Sequence, residues 1–385
     1  MEGRKACSKG RSFWAGVIAV ACLVAFTIPA MAVDDWYRPD CFKMASDKEL
    51  SVVLKPGSSK IIQYGEKKPP YKFAFVNGFA GNAWRIQAIQ ATKAWAARPE
   101  NKPFVKELKV VSVGTDVAAQ MAAIDNFIAA GFDGITLIGL NPTAFDAVIK
   151  RAKRAGTVMV PFDNVLDTDQ VSQVNEPQFS MGRMKAETVV KLMGKTKGKV
   201  LEIRGLQGNS TDRDRSRGAH EILDQYKEIE VIQVVGNWDT GTVQKVTADA
   251  IATHRYFDGI VCQHGCAGAI NAVVDAGHPI IPMGTDSENG VRLLMAKHKI
   301  PGVTVGQSPS LSAVAMEVAK FQLQGKPMPV LIHMALPHVF TPDGLKDGVN
   351  YFTDLPPTFE TSTGFKECGL DFTAKELLAQ TGDNM

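Results

Sequence analysis

Polar and aromatic residues suited to gripping a hydroxylated ligand recur in this sequence just after short apolar runs. Asn77, Asn82, Trp84 and Arg85 follow the run at 72–76, and Asp163 and Asn164 follow 158–162. Further on, Asn209, Ser210 and Arg213 follow 200–203, Trp238 and Asp239 follow 231–235, and Gln263 and His264 follow 259–261. Thr285 and Asp286 follow 280–283, and Gln307 follows 303–305. Planar fork donors and carboxylates make directional, charge-assisted hydrogen bonds to hydroxyls. Indole faces cover the apolar C–H face of a sugar ring and exclude water. Together these residues make a carbohydrate or polyol cradle. Singly, each has a plainer use. Asn82 can cap a helix, Arg213 stands among Asp212, Asp214, Arg215 and Arg217 as on a solvated charged face, Trp238 can be core, and His264 can be a hydrogen-bonded loop histidine. The shared position after apolar runs carries the functional reading.

The runs are continuous and rich in β-branched residues, and they alternate with helical segments. That pattern predicts parallel strands buried on both faces. Strands are expected at 72–77, 110–113, 134–138, 158–162, 200–203, 231–235, 259–261 and 280–283. Helices are expected at 82–97 with Asn82 as cap, from Asp116 through Ile128, and at 143–155 opened by Thr143. Others follow at 180–194, 212–226 and 241–253, one ending near Val274, and 288–297. Two sets of four to five such units imply an α/β chain with two doubly wound parallel-sheet domains. In such sheets ligands bind beyond the carboxyl ends of the strands, where the polar set lies.

The chain has 385 residues, 45% apolar and 22% charged, with 43 Lys+Arg against 40 Asp+Glu. This is the composition of a folded protein and excludes a disordered chain, a collagen-like repeat and a disulfide-dense miniprotein. A net charge of +3 also argues against broad phosphate neutralisation of nucleic acid. The basic residues Arg4, Lys5, Lys9 and Arg11 precede an apolar run at 13–28 that exits through Ala30-Met31-Ala32. This is the pattern of a cleaved secretory signal peptide, residues 1–32, and the run is short for a membrane anchor. Cys22 lies inside the run with Ala19 three residues before it, which does not fit a lipoprotein cysteine. Removing the signal takes four basic residues and Glu2, so the exported chain carries equal numbers of basic and acidic residues.

Cys41, Cys262, Cys266 and Cys368 remain, and export permits disulfides among them in three pairings. Cys41 and Cys368 flank the main body, so one pairing would staple its two ends. Cys262, His264 and Cys266 alternatively read as metal ligands, but they are crowded and no fourth is evident. Residues 194–196 mimic the end of a phosphate loop, yet Val189 stands where the leading glycine is needed and a helix precedes them. No Gly-x-Ser-x-Gly elbow is present. No catalytic residue, cofactor or metal is therefore expected.

The segments FVNGFAGNAW (75–84), ITLIGLNPTAFDAVIKRAKRAGTVMVPFDN (135–164), VLEIRGLQGNSTDRDRSRG (200–218), FDGIVCQHGCAGAINAV (257–273) and IPMGTDSENG (281–290) resemble the type I periplasmic sugar-binding proteins, the ribose-binding class. The resemblance covers about residues 71–340. It implies ligand contacts from Asn82, Trp84, Asp163, Asn164, Arg213, Trp238, His264, Asp286 and Gln307, with Asn77 and Arg85 beside them. It also implies a three-segment hinge crossing near 173–175, 306–308 and 334–336. The first lobe would be 71–174 plus 307–334 and the second 175–306 plus 335–340, with extensions at 33–70 and 341–385. Arg85 stands where the family has a second aromatic residue, Asn164 where it has Arg, and His264 where it has Asn. These departures leave another pentose, a hexose, a deoxysugar or a polyol open besides ribose. The implied protein is a periplasmic monomer without catalysis that delivers its ligand to an ABC permease. The alternatives are a sensor presenting its closed form to a membrane receptor or kinase, and an α/β enzyme acting on a small carbohydrate. A transcription regulator of the same fold would need a helix-turn-helix before the first lobe, where an export signal and the irregular 33–70 segment stand.

Overall fold

The computed structural model describes residues 41–46, 53, 55 and 57–382. The segment read as an export signal lies outside them. Two short strands come first, β1 (Lys43–Met44) and β2 (Ile61–Ile62). The first domain then alternates β3 (Tyr71–Asn77), α1 (Ala83–Ala97), β4 (Val105–Ser112), α2 (Val117–Ala129), β5 (Gly134–Leu137), α3 (Asp146–Ala155) and β6 (Val158–Pro161). After β7 (Gln173–Asn175), the second domain repeats the scheme. It runs α4 (Gln178–Met193), β8 (Lys197–Arg204), α5 (Ser210–Leu223), β9 (Glu228–Val235), α6 (Thr240–His254), β10 (Gly259–Cys262), α7 (Cys266–Asp275), β11 (Met283–Thr285), α8 (Asn289–His298) and β12 (Gly302–Val305). The chain ends with α9 (Leu311–Leu323), β13 (Met328–Pro329), β14 (Leu331–His333), β15 (His338–Thr341), β16 (Gly364–Phe365), β17 (Leu370–Asp371) and α10 (Ala374–Leu378).

The first sheet has the order β4-β3-β5-β6 and is parallel throughout. The second has the order β15-β12-β11-β10-β8-β9, parallel except for β15 at one edge. In both, the first strand of the unit sits inside the sheet, so the strand order reverses beside it. The carboxyl ends there, after β3 and β8, are the crevice positions of doubly wound folds. Buried apolar side chains fill both layers. Phe73, Phe75, Ile135, Leu137 and Ile149 serve the first sheet, and Leu201, Ile203, Ile260, Met283 and Val291 the second. Each contributes about 1.5–3 kcal/mol on leaving water. Among the described residues, no helix is long and apolar enough to cross a membrane.

Helix starts follow side-chain capping. Asn82, Asp116, Asn209 and Asp239 each accept a backbone N–H of the first turn. α3 begins at Asp146 and not at Thr143, because the Asn141 side chain takes the Thr143 N–H and hydroxyl in a local turn. The strand expected at 280–283 lies instead at Met283–Thr285. Pro282 cannot donate to a ladder, and pairing with β10 begins at Met283. α4 and α5 cross with their backbones in contact. A Cβ on Gly182 would lie 1.9 Å from the Arg215 carbonyl oxygen, and one on Gly218 would lie 2.0 Å from that of Phe179. Only glycine fits at either place, and the contact sets the depth of Arg215.

Segments on either side of the two repeats are built into the structure. β14 pairs with β7 in parallel and with β1 antiparallel, while β13 pairs with β2. α9 packs beside the first sheet, where Ser312 Oγ donates to the Ala88 carbonyl at 2.7 Å. Cys41 is bonded to Cys368, and Cys262 to Cys266. The second pair engages both sulfurs that the metal reading would have needed as thiolates.

Candidate functional site

A narrow cavity lies where the carboxyl ends of the two sheets face each other, lined by residues of both domains. The first domain supplies Asn82, Trp84, Arg85 and Asp163; the second supplies Thr211, Arg215, Trp238 and His264; and Gln307 follows β12. The free space inside it is about 20 Å³, room for about one water, so a ring-sized ligand needs the walls to part.

On the first-domain side, Asn82 Oδ1 is occupied at the α1 cap, accepting the Arg85 N–H at 3.0 Å. Trp84 Nε1 donates to the Gln307 carbonyl at 2.9 Å, which ties α1 to the segment after β12. Arg85 is buried over the Phe79 ring, with Nη1 donating to Asn77 Oδ1 at 2.9 Å. Among the described residues, its Nη2 has no hydrogen-bond partner. Burial pulls this guanidinium down to about 10, with Asp163 partly opposing. Asn77 therefore lies behind Arg85 and holds it. Asp163 adopts φ 60° two residues past the end of β6, a left-handed turn that aspartate tolerates better than most residues. Burial raises its carboxyl, opposed by Arg85 and Arg215.

From the second domain comes Arg215, 4% exposed. It donates from Nε to Gln178 Oε1 at 2.7 Å, from Nη1 to the Gln263 carbonyl at 3.2 Å, and from Nη2 to Gln307 Oε1. Gln307 Nε2 in turn donates to Asp163. One side-chain amide thus links an arginine of the second domain to a carboxylate of the first. Trp238 sits at φ 57°, next to Asn237 at φ 54°, and donates from Nε1 to Gln263 Oε1 at 3.1 Å. A left-handed tryptophan is unusual, and such strain collects at functional sites. Gly205 makes the room, since a Cβ there would lie 2.0 Å from Trp238 Nε1.

His264 follows β10 inside the Cys262–Cys266 loop. Its Nδ1 is 3.1 Å from Asp286 Oδ2 and its Nε2 is 3.5 Å from Glu360 Oε1. Neither approach has hydrogen-bond alignment, so these are ion contacts. Burial opposes charge on the ring, but Asp286, and then Glu360 and Glu288, outweigh it and push the imidazole up to about 9. Burial also works against the Asp286 carboxylate, yet His264, Lys185 and the Cys266 N–H hold it well below the usual carboxylate range. Asp286 lies behind His264 and does not line the cavity.

The cavity does not include Arg213. That side chain is partly exposed and ion-paired with Asp167 at 2.8 and 3.0 Å and with Asp214 at 2.8 Å. Two residues along a helix turn the side chain about 200° round the axis, so Arg213 and Arg215 point apart. Asn164 is buried outside the lining, its Oδ1 accepting the Thr211 hydroxyl at 3.0 Å. Arg215 and Thr211 are the lining residues that sequence reasoning missed. Arg215 had a usable signal: with Ala219, Ile222 and Leu223 it continues the buried face of α5 at helical spacing.

Residues 73–327 match the family model for the periplasmic binding protein domain. The ribose import binding protein of Bacillus subtilis is 25% identical over 221 residues, 56% of this chain and 72% of the relative. The D-apiose import binding protein of Paraburkholderia graminis is 25% identical over 234 residues, 57% of this chain and 74% of the relative. A putative rhizopine-binding protein of Rhizobium meliloti is 29% identical over 181 residues, 44% of this chain and 58% of the relative. Among solved structures, a galactofuranose binding protein superposes with a TM-score of 0.65 at 20% identity, over 70% of this chain and 95% of that one. An ABC transporter solute binding protein from Bacillus halodurans with bound myo-inositol does so at 0.63 and 22% identity, over 71% and 96%. These superpositions speak to the fold.

Proposed function

Since the chain belongs to the periplasmic binding protein domain family, we propose that it captures one sugar or polyol between its two parallel-sheet domains and delivers it to an ABC-type permease. The observation that carries this is the Arg215–Gln307–Asp163 link inside a cavity lined by Trp84 and Trp238. Trp84 and Trp238 supply apolar faces, and the buried arginines, Asp163 and His264 supply directional partners for hydroxyls. Relatives named for ribose, apiose and xylitol import or binding support the ligand class. Residues 1–32 direct export, and the protein works as a monomer.

Capture is a closure of the two lobes, 71–174 plus 307–334 and 175–306 plus 335–340, about crossings at 173–175, 306–308 and 334–336. The parallel pairing of β7 (Gln173–Asn175) with β14 (Leu331–His333), just before 334–336, supports this reading. Contacts from both lobes exist only when the lobes meet, so ligand shifts the population towards the closed form. The test is a thermal-shift screen of the exported chain against D-ribose, D-apiose, xylitol, L-arabinose, D-allose and myo-inositol. A ligand at about a hundred times its Kd adds about 2.7 kcal/mol of stability and raises Tm. A flat response across the panel contradicts the reading.

A further inference from the structure

We propose that Glu360, delivered by the C-terminal segment, is a positioning residue of the cavity that closes the far side of His264 and holds that ring against the ligand. The proposal rests on the reading of the cavity as a sugar site. It concerns a segment beyond the residues matched by the family model.

The backbone of Glu360 is fixed from both domains. The Gln87 side chain of α1 donates to its carbonyl and accepts its N–H, both at 2.9 Å. On the other side, Glu288 pairs with Glu360 in an isolated antiparallel bridge, and the Thr361 hydroxyl donates to the Ser287 carbonyl at 2.7 Å. The Asn289 and Gly290 N–H groups donate to the Phe359 and Pro357 carbonyls at 2.8 and 2.7 Å. Ser308 and Ser310, just after the crossing at Gln307, donate from their hydroxyls to the Ser362 and Thr363 carbonyls at 2.8 and 2.7 Å. A segment held on α1, on the start of α8 and at the crossing can place one side chain accurately.

Among the described residues, the Glu360 carboxyl has its near oxygen free for His264. The residue is 1% exposed, its Oε1 has no hydrogen-bond partner, and that oxygen is the one 3.5 Å from His264 Nε2. Asp286 stands on the other ring nitrogen, so the imidazole is bracketed by two carboxyl groups and faces the cavity. The other charged groups that bear on this cluster are Glu288, Glu176 ahead of α4, Lys185 of α4, Arg292 of α8, Arg215 of α5 and Asp163. One imidazolium cannot balance three carboxylates. Burial lifts Glu360 to about 8 and Glu288 to about 7.

The linkage follows from these directions. His264 and both glutamates have folded values above their ordinary ones, so each contributes stability below its ordinary value that is lost as pH rises. For the glutamates the loss begins above about 4.5, and for His264 above about 6.5. The protein should therefore melt at a lower temperature at pH 9 than at pH 5.

The experiment compares the exported chain with Glu360→Gln and Glu360→Asp. His264 is titrated by NMR, its signal assigned by loss in His264→Asn. Glu360→Gln should lower the proton affinity of His264 about tenfold and flatten the decline of Tm between pH 5 and 9. Glu360→Asp, which keeps the charge but withdraws it by one methylene, should fall between the two and decides the matter if the glutamine variant does not fold. An unchanged His264 midpoint in either variant overturns the proposal. The panel sugar that stabilises the wild type should bind Glu360→Gln about tenfold more weakly, and equal affinity would likewise overturn it. If no panel sugar stabilises the wild type, the sugar reading fails, while the His264 titration still judges the placement of Glu360.

Discussion

Arg215→Met should reduce sugar affinity at least about thirtyfold, whereas Arg213→Ala should leave it within about threefold. Arg215 is buried and spends its donors on Gln178, the Gln263 carbonyl and Gln307 at the cavity wall. Truncating one partner of a buried, hydrogen-bonded charge network costs about 2–5 kcal/mol, and about 1.4 kcal/mol is a factor of ten. Methionine keeps most of the volume, so the loss reports on the charge and the fork. Arg215→Lys should recover little, because a point charge cannot serve three planar directions. Arg213 faces Asp167 and Asp214 on a partly exposed surface, where such pairs contribute little. Calorimetry on the two variants decides between the positions, and a large loss at Arg213 with none at Arg215 would reverse the assignment.

The second large effect concerns the staple between the chain's two ends. The Cys41–Cys368 bond closes a loop across 327 residues. Removing a native disulfide from a secreted domain typically costs about 2–5 kcal/mol, the more so for long loops. Cys41→Ser with Cys368→Ser should therefore lower Tm by several degrees and abolish most of the sensitivity of the melt to reductant. Cys262→Ser with Cys266→Ser opens a loop of sequence separation 4, so its effect on the unfolded chain should be much smaller. Melting curves with and without reductant make the comparison. Identical melts for the wild type and the Cys41/Cys368 variant would show that the ends are held by packing alone.

Much of the fold was legible because its signals are local. Continuous runs such as 158–162 and 259–261 have no polar alternation, which fits strands covered on both faces. Asn82, Asp116, Asn209 and Asp239 mark helix starts by residue type. Sites after such strands are legible for the same reason, and Trp84, Asp163, Trp238, His264 and Gln307 do line one cavity. The rest depends on rotation and on distance along the chain. Asp212, Arg213, Asp214 and Arg215 stand in a row, and composition cannot say which faces inward. The close approach of Gly182 to the Arg215 backbone decides it. Pro282 shifted a strand by interrupting its ladder. Glu360 comes from a segment whose partners, Gln87, Glu288 and Ser308, lie far away in sequence. Nothing near residue 360 announces them.

A sugar that enters between Trp84 and Trp238 should alter the surroundings of both indoles. Tryptophan emission, followed as the stabilising panel sugar is added to the exported chain, tests it most directly. The change should be saturable with the same midpoint as calorimetry, and lost in Trp84→Phe with Trp238→Phe. Calorimetric binding that leaves the emission of the wild type unchanged would contradict it.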